Sequence, residues 1–144
     1  MGKGWSTVEI DEPLLRAIKR SQPDVIDSKG RVTSACFKNE RRAKGLNDPG
    51  ISVDRQDNRT MEEATEFLSE KLFPRLRGIA RIYAGEVIEA KAVVLPSPTS
   101  SDEYHAEIFG NAAKEALTNL QALQLADACE LQWVDEEWHR KNSS

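Results

Sequence analysis

Tyr104-His105-Ala106-Glu107 carries the densest chemistry in the chain. On a strand, His105 and Glu107 project from the same face, where a histidine beside a carboxylate can share one proton or offer two ligands to a metal ion. A catalytic metal takes three protein ligands as a rule, and the only other histidine, His139, sits in a charged tail. A third group would have to be Asp54, Asp57 or another carboxylate brought in by the fold, so no metal and no cofactor is expected. With His105 as general base and Glu107 and Asp54 assisting, the segment would suit a small hydrolase or nuclease-like enzyme. The plain alternative is a solvated strand face on which His105 bonds a backbone carbonyl.

Ser52-Val53-Asp54-Arg55-Gln56-Asp57-Asn58-Arg59 places four charges just after a short apolar segment, where a loop can present binding groups on a rigid support. Arg55 and Arg59 could each hold a carboxylate or phosphate, with Asp54 or Asp57 orienting them. Trp133 and Trp138 flank the acids Asp135, Glu136 and Glu137. Tryptophan is enriched where binding energy concentrates, so this acidic, aromatic end suits a basic protein partner. Lys38, Arg41, Arg42 and Lys44 cluster around Phe37. Four cations are few for nucleic acid, and binding through them would weaken sharply with salt.

The charge balance supports that ranking. The net charge is −4, with ten Lys or Arg against six Asp or Glu from Met1 to Lys44, and ten against eighteen from Gly45 to Ser144. The −8 of the longer part disfavours nucleic acid and favours a basic partner. There is no phosphate-binding glycine loop, dinucleotide fingerprint, paired-histidine zinc signature, nucleophile elbow or calcium loop. Cys36 and Cys129 are isolated thiols that fit neither a disulfide framework nor a zinc knuckle, and are expected to pack as small apolar residues in a reducing cytoplasm. No apolar run reaches membrane-spanning length, and the start lacks the apolar core of a secretory signal.

The elements that must position these groups follow from periodicity and punctuation. At 144 residues, one globular domain spanning 1–144 is expected, frayed from about residue 140. Asp11, Pro13 and the spacing of Leu14, Leu15 and Ile18 predict a helix over Glu12 to Arg20. Arg31 to Lys38 could form a strand, and Asn39 to Pro49 reads as a surface loop. Ile51 to Val53 predicts a strand, and the Thr60…Glu63 capping box opens a helix over Met61 to Phe73. Strands are expected at Ile79 to Tyr83, Ala92 to Leu95 and Tyr104 to Phe109, with a turn or one helical turn over Ala84 to Lys91 and a loop from Pro96 to Asp102. Asn111 and the spacing of Ala113, Ala116, Leu117, Leu120, Leu123 and Ala128 predict a helix from Ala112 to about Ala128, with Cys129 to Val134 either continuing it or forming a last strand. The sum is an α+β domain: a mixed or antiparallel sheet with helices packed mainly on one face.

Ile51-Ser52-Val53-Asp54-Arg55, then Gly78 to Ile82 with Ala84-Gly85-Glu86-Val87, then Pro96 to Pro98 leading into His105-Ala106-Glu107-Ile108 and Gly110, resembles a set of small, uncharacterised bacterial proteins. In those, a serine-rich segment ending in phenylalanine, matched here by Thr33 to Phe37, precedes the Ser-Val-Asp stretch. The resemblance carries no activity. It implies only that Ser34, Asp54 and His105 converge on one face.

The leading expectation is a noncatalytic, cytoplasmic protein-binding module of bacterial or phage origin, such as an immunity- or antitoxin-like inhibitor of a basic partner. Its contact residues would be Trp133, Asp135, Glu136, Glu137, Trp138 and Arg55. The alternative is the hydrolase built on His105, Glu107 and Asp54.

Overall fold

Pro13-Leu14-Leu15-Arg16-Ala17-Ile18-Lys19 forms a strand, β1, where helical spacing had predicted a helix. The reason is periodicity: Leu14 and Ile18, four apart, share a face in either conformation, whereas Leu15 packs on the opposite side. A strand buried on both faces loses its alternation and reads as a continuous apolar run. The computed structural model describes residues 7–38 and 49–134. Among them the further elements are β2 (Ile51–Arg55), α1 (Met61–Leu72), β3 (Leu76–Tyr83), α2 (Ala84–Glu89), β4 (Val93–Pro96), β5 (His105–Phe109), α3 (Asn119–Ala128) and β6 (Glu130–Val134). Two 3-10 turns lie at Pro23–Val25 and Ser34–Phe37.

The six strands make one antiparallel sheet in the order β4-β5-β2-β1-β3-β6, confirming the α+β reading. β1 is therefore central, pairing Leu14 with Arg55 of β2 and with Ile82 of β3. One face carries the larger core: Leu14, Ile18, Ile51, Val53, Ala80, Ile82 and Ile108 meet Val87 of α2, Ala122 and Leu125 of α3, and Cys36 and Phe37 of the second 3-10 turn. On the other face Leu15 and Ile79 pack against Ala64 and Leu68 of α1, with Leu76 alongside. Fully burying side chains of this size contributes about 1.5–3 kcal/mol each.

Local chemistry sets the boundaries. Thr60 Oγ1 accepts from the Glu63 amide at 3.0 Å and Glu63 Oε1 accepts from the Thr60 amide at 2.8 Å, the reciprocal cap expected for α1. The last helix begins at Asn119, not Ala112. Asn111 Oδ1 accepts from the amides of Ala113 and Glu115 at 3.0 and 3.3 Å, folding its own neighbours into a turn, and Lys114 has φ 62°. Such a turn competes with helix initiation. The working cap is Thr118 with Gln121, whose buried amide also donates to the carbonyls of Ala90 and Gly110. Val32 makes only a bridge to Ile26, and Ser34–Phe37 coils to send Cys36 and Phe37 inward, so no strand runs from Arg31 to Lys38. Cys129 ends α3 and the chain then turns into β6.

Burial pushes the Cys36 thiol up to about 11 and the Cys129 thiol to about 12, so both stay protonated. This is the inert behaviour expected of packed thiols.

The ends of β1 and β2 are joined by a buried ion pair. Arg55, 2% exposed, donates from Nε and Nη2 to the two oxygens of Glu12, both at 3.0 Å, and Nη2 also reaches the Thr7 carbonyl. Glu12 Oε2 accepts in addition from the Asp57 amide at 3.1 Å. Removing one member of such a pair is costly because the other charge loses its partner while staying dry. Glu12→Leu is therefore expected to lower unfolding free energy by roughly 3–5 kcal/mol, and the double variant Glu12→Leu, Arg55→Met by much less. Urea unfolding of the two variants checks this.

Candidate functional site

Asp54 and His105 are directly opposite each other on β2 and β5, and Ser52 is opposite Glu107. Residues two apart on a strand share a face, so Asp54, His105 and Glu107 stand together on the α1 side of the sheet. The enzyme reading needs this shared face, but it also needs the side chains within a few ångströms of one another in one cleft. Ser34 does not join them: it opens the 3-10 turn whose Cys36 and Phe37 pack into the core on the other face.

Asp54 is 3% exposed, and its Oδ2 is buried without a hydrogen-bond partner among the described residues. The group it faces is Asp102, from the loop between β4 and β5, a second carboxyl that can hydrogen-bond to it only through a shared proton. Asp102 has a fully buried side chain, a 2.7 Å ion pair from Oδ2 to Lys71 Nζ of α1, and a 2.9 Å bond from its Oδ1 to the Tyr104 amide. Two ionised carboxylates cannot share so dry a place. Burial first, then the hydrogen bond to Asp102 and its charge, push the Asp54 carboxyl up to about 8. Burial acts upward on Asp102 as well, but the hydrogen bonds from Asp54, Lys71 and the Tyr104 amide outweigh it and hold Asp102 below the usual carboxylate range. The pair therefore holds one proton, on Asp54, and one negative charge, on Asp102, which Lys71 neutralises.

Arg59 closes one side. Its guanidinium carbon lies 3.5 Å from the ring centre of Tyr104 and 5.3 Å from that of Phe67, and the two rings meet edge to face at 5.7 Å. Arg59 also donates to the carbonyls of Gln56 and Arg55, so it serves the chain itself.

His105 turns away from its cross-strand neighbour. Its Nδ1 lies 2.9 Å from both the hydroxyl and the carbonyl oxygen of Ser97, which is the backbone-bonded histidine of the plain alternative. Glu107 lies over Gly50, where a Cβ would come within 2.4 Å of Glu107 Oε2. The described residues hold no group of three or more His, Cys, Asp or Glu able to bind a metal ion.

Of the expected partner contacts, Arg55 is interior and engaged by Glu12 of its own chain, so it is no surface residue. It does hold a carboxylate, but an internal one. Trp133 lies on β6, whereas Asp135, Glu136, Glu137 and Trp138 fall outside the described residues, as does most of the basic cluster after Lys38. Sequence reasoning missed Asp102 and Lys71. Lys71 falls within the expected Met61 to Phe73 helix and Asp102 ends the expected Pro96 to Asp102 loop, but nothing in their spacing linked them.

No family model matches the chain, and neither the curated proteins nor the solved structures contain a match to it. The fold and site rest on their own geometry: a six-stranded antiparallel α+β domain with a proton-sharing carboxyl pair under its sheet.

The folded state keeps the Asp54 proton to about pH 8, whereas the unfolded chain releases it near 3.8. Between those values the native state binds more protons, so Asp54 makes stability fall as pH rises. Asp54→Asn keeps a neutral donor and is expected to flatten this slope, gaining on wild type from pH 5 to about pH 8 and holding that gain above it. Urea midpoints across that range measure it.

Proposed function

We propose that the chain is a noncatalytic protein-binding module whose docking face is built on α3. The observation that carries this reading is Leu120 and Leu123, three apart on one helix and 66% and 49% exposed. Neighbouring apolar side chains left in water on a small domain mark an interaction surface. α2 stands next to α3, joined to it through Gln121 and the Ala90 carbonyl, and presents the exposed Ile88. Acids dominate this region: Glu86 and Glu89 on α2, Glu115 before α3 and Asp127 at its end, against Lys91 and Lys114. An apolar centre with an acidic surround suits a partner that is basic around an apolar anchor, and such charge complementarity speeds and orients encounter. Inhibition of a basic enzyme or toxin is one concrete form of this function.

The internal use of the reactive groups supports the reading. Asp54 is spent on Asp102, Arg55 on Glu12 and His105 on Ser97. A second reading, the small hydrolase, draws on one observation, the cross-strand placement of Asp54 and His105 on a common face.

Tagged wild type, Leu120→Asp with Leu123→Asp, Phe73→Asp and His105→Ala, each incubated with lysate of the source cells, separate the readings. Phe73 is 80% exposed at the end of α1 and serves as the apolar control. The expected result is one stoichiometric basic partner, retained by wild type, Phe73→Asp and His105→Ala and lost by the leucine double variant. Retention by the double variant removes α3 as the docking face. Loss with His105→Ala alone shifts the assignment to the Asp54 face.

A further inference from the structure

We infer that the loop of residues 97–104 is a strap over the Asp54–His105 face, fastened through Asp102 and released when Asp54 gives up its proton to solvent. The loop is tied at both ends. The Ser97 amide donates to the His105 carbonyl at 2.9 Å and the Arg55 amide of β2 donates to the Tyr104 carbonyl at 2.8 Å. Between these ties Thr99 and Asp102 close a tight turn, the Asp102 amide donating to Thr99 Oγ1 at 3.0 Å and the Thr99 amide to the Asp102 carbonyl at 2.9 Å. Asp102 is thus both the pivot of the turn and the side chain that reaches inward, to Lys71 of α1 and Asp54 of β2.

The charges facing the pair come from every neighbouring element. Asp54 comes from β2, Lys71 from α1 and Arg59 from the segment entering α1. Asp102 and Glu103 come from the loop, Tyr104 and His105 from its junction with β5, and Asp57 lies near Tyr104. With Asp54 protonated, one buried negative charge faces Lys71. Once Asp54 ionises, two negative charges share that place. Moving Asp102 into solvent relieves the repulsion, because apart from Pro98 the residues from Ser97 to Glu103 are polar and can be satisfied by water, while Tyr104 stays anchored on Phe67 and Arg59. Opening would bare the face on which Asp54 and His105 lie. Lys71 sets the threshold, since its charge favours ionised carboxylates while its bond holds Asp102 in place.

Amide hydrogen exchange on the full chain, corrected for the intrinsic pH dependence of exchange, tests the strap between pH 6.5 and 9.5. Protection of the Ser97, Thr99, Asp102 and Tyr104 amides is expected to fall as pH rises from 6.5, by more than about tenfold, and to level off above about 8, while protection at Ile79 and Ala80 in β3 holds, as local opening requires. Asp54→Asn is expected to keep the loop amides protected throughout, and Lys71→Met to loosen them already at pH 6.5. A wild-type loop whose protection does not change, or falls only together with β3, overturns the inference. So does an Asp54→Asn variant that opens with the wild-type profile. Should that variant not fold, the wild-type comparison of loop with β3 decides alone.

Discussion

β2 sends two adjacent ionisable side chains into opposite layers of the molecule, Asp54 toward α1 and Arg55 toward the larger core, and neither reaches water. A buried charge must be matched or neutralised where it lies. The two solutions differ. Arg55 keeps its charge and takes both oxygens of Glu12 in paired hydrogen bonds, which fixes the entry of β1 against the exit of β2. Asp54 gives up its charge instead, keeping a proton so that Asp102 can remain ionised beside Lys71. One strand thereby recruits the residues before β1 on one side, and α1 with the β4–β5 loop on the other.

The same demand takes up the chemically suggestive residues of β2, Asp54 beside Asp102 and Arg55 with Glu12. Near β2 and β5, Arg55, Arg59 and His105 are bonded to groups of their own chain. What the surface offers is apolar area on α3 with acids around it. The proposed docking face is this part of α3, and the sheet lies behind it, with Ala122 and Leu125 of the same helix packed into the larger core.

Much of this was legible from residue order. The reciprocal cap at Thr60 and Glu63, the strands ending at Tyr83 and Phe109 and the loop after Pro96 follow from local chemistry, which tertiary contacts left undisturbed. β1 was not legible, because a central strand covered on both faces has no alternation to show. α3 was legible in its body but not its start: Asn111 is a competent cap, and only the left-handed Lys114 and the second cap at Thr118 show where helix begins. The shared face of Asp54, His105 and Glu107 followed from strand periodicity together with the resemblance. The carboxyl pair did not, because Asp54 and Asp102 are 48 positions apart and meet only through the β2–β5 register.

The sheet order carries a consequence for synthesis. β1 is the first strand of the sheet to be made and sits third from one edge, between β2 and β3. Its longest pairing, with β3, is complete only once Tyr83 has been added. At ribosomal rates of about 5–20 residues per second, the segment Leu14-Leu15…Ile18 waits several seconds with both apolar faces uncovered. The strand order thus makes β1 the segment whose burial waits longest on residues still to be added.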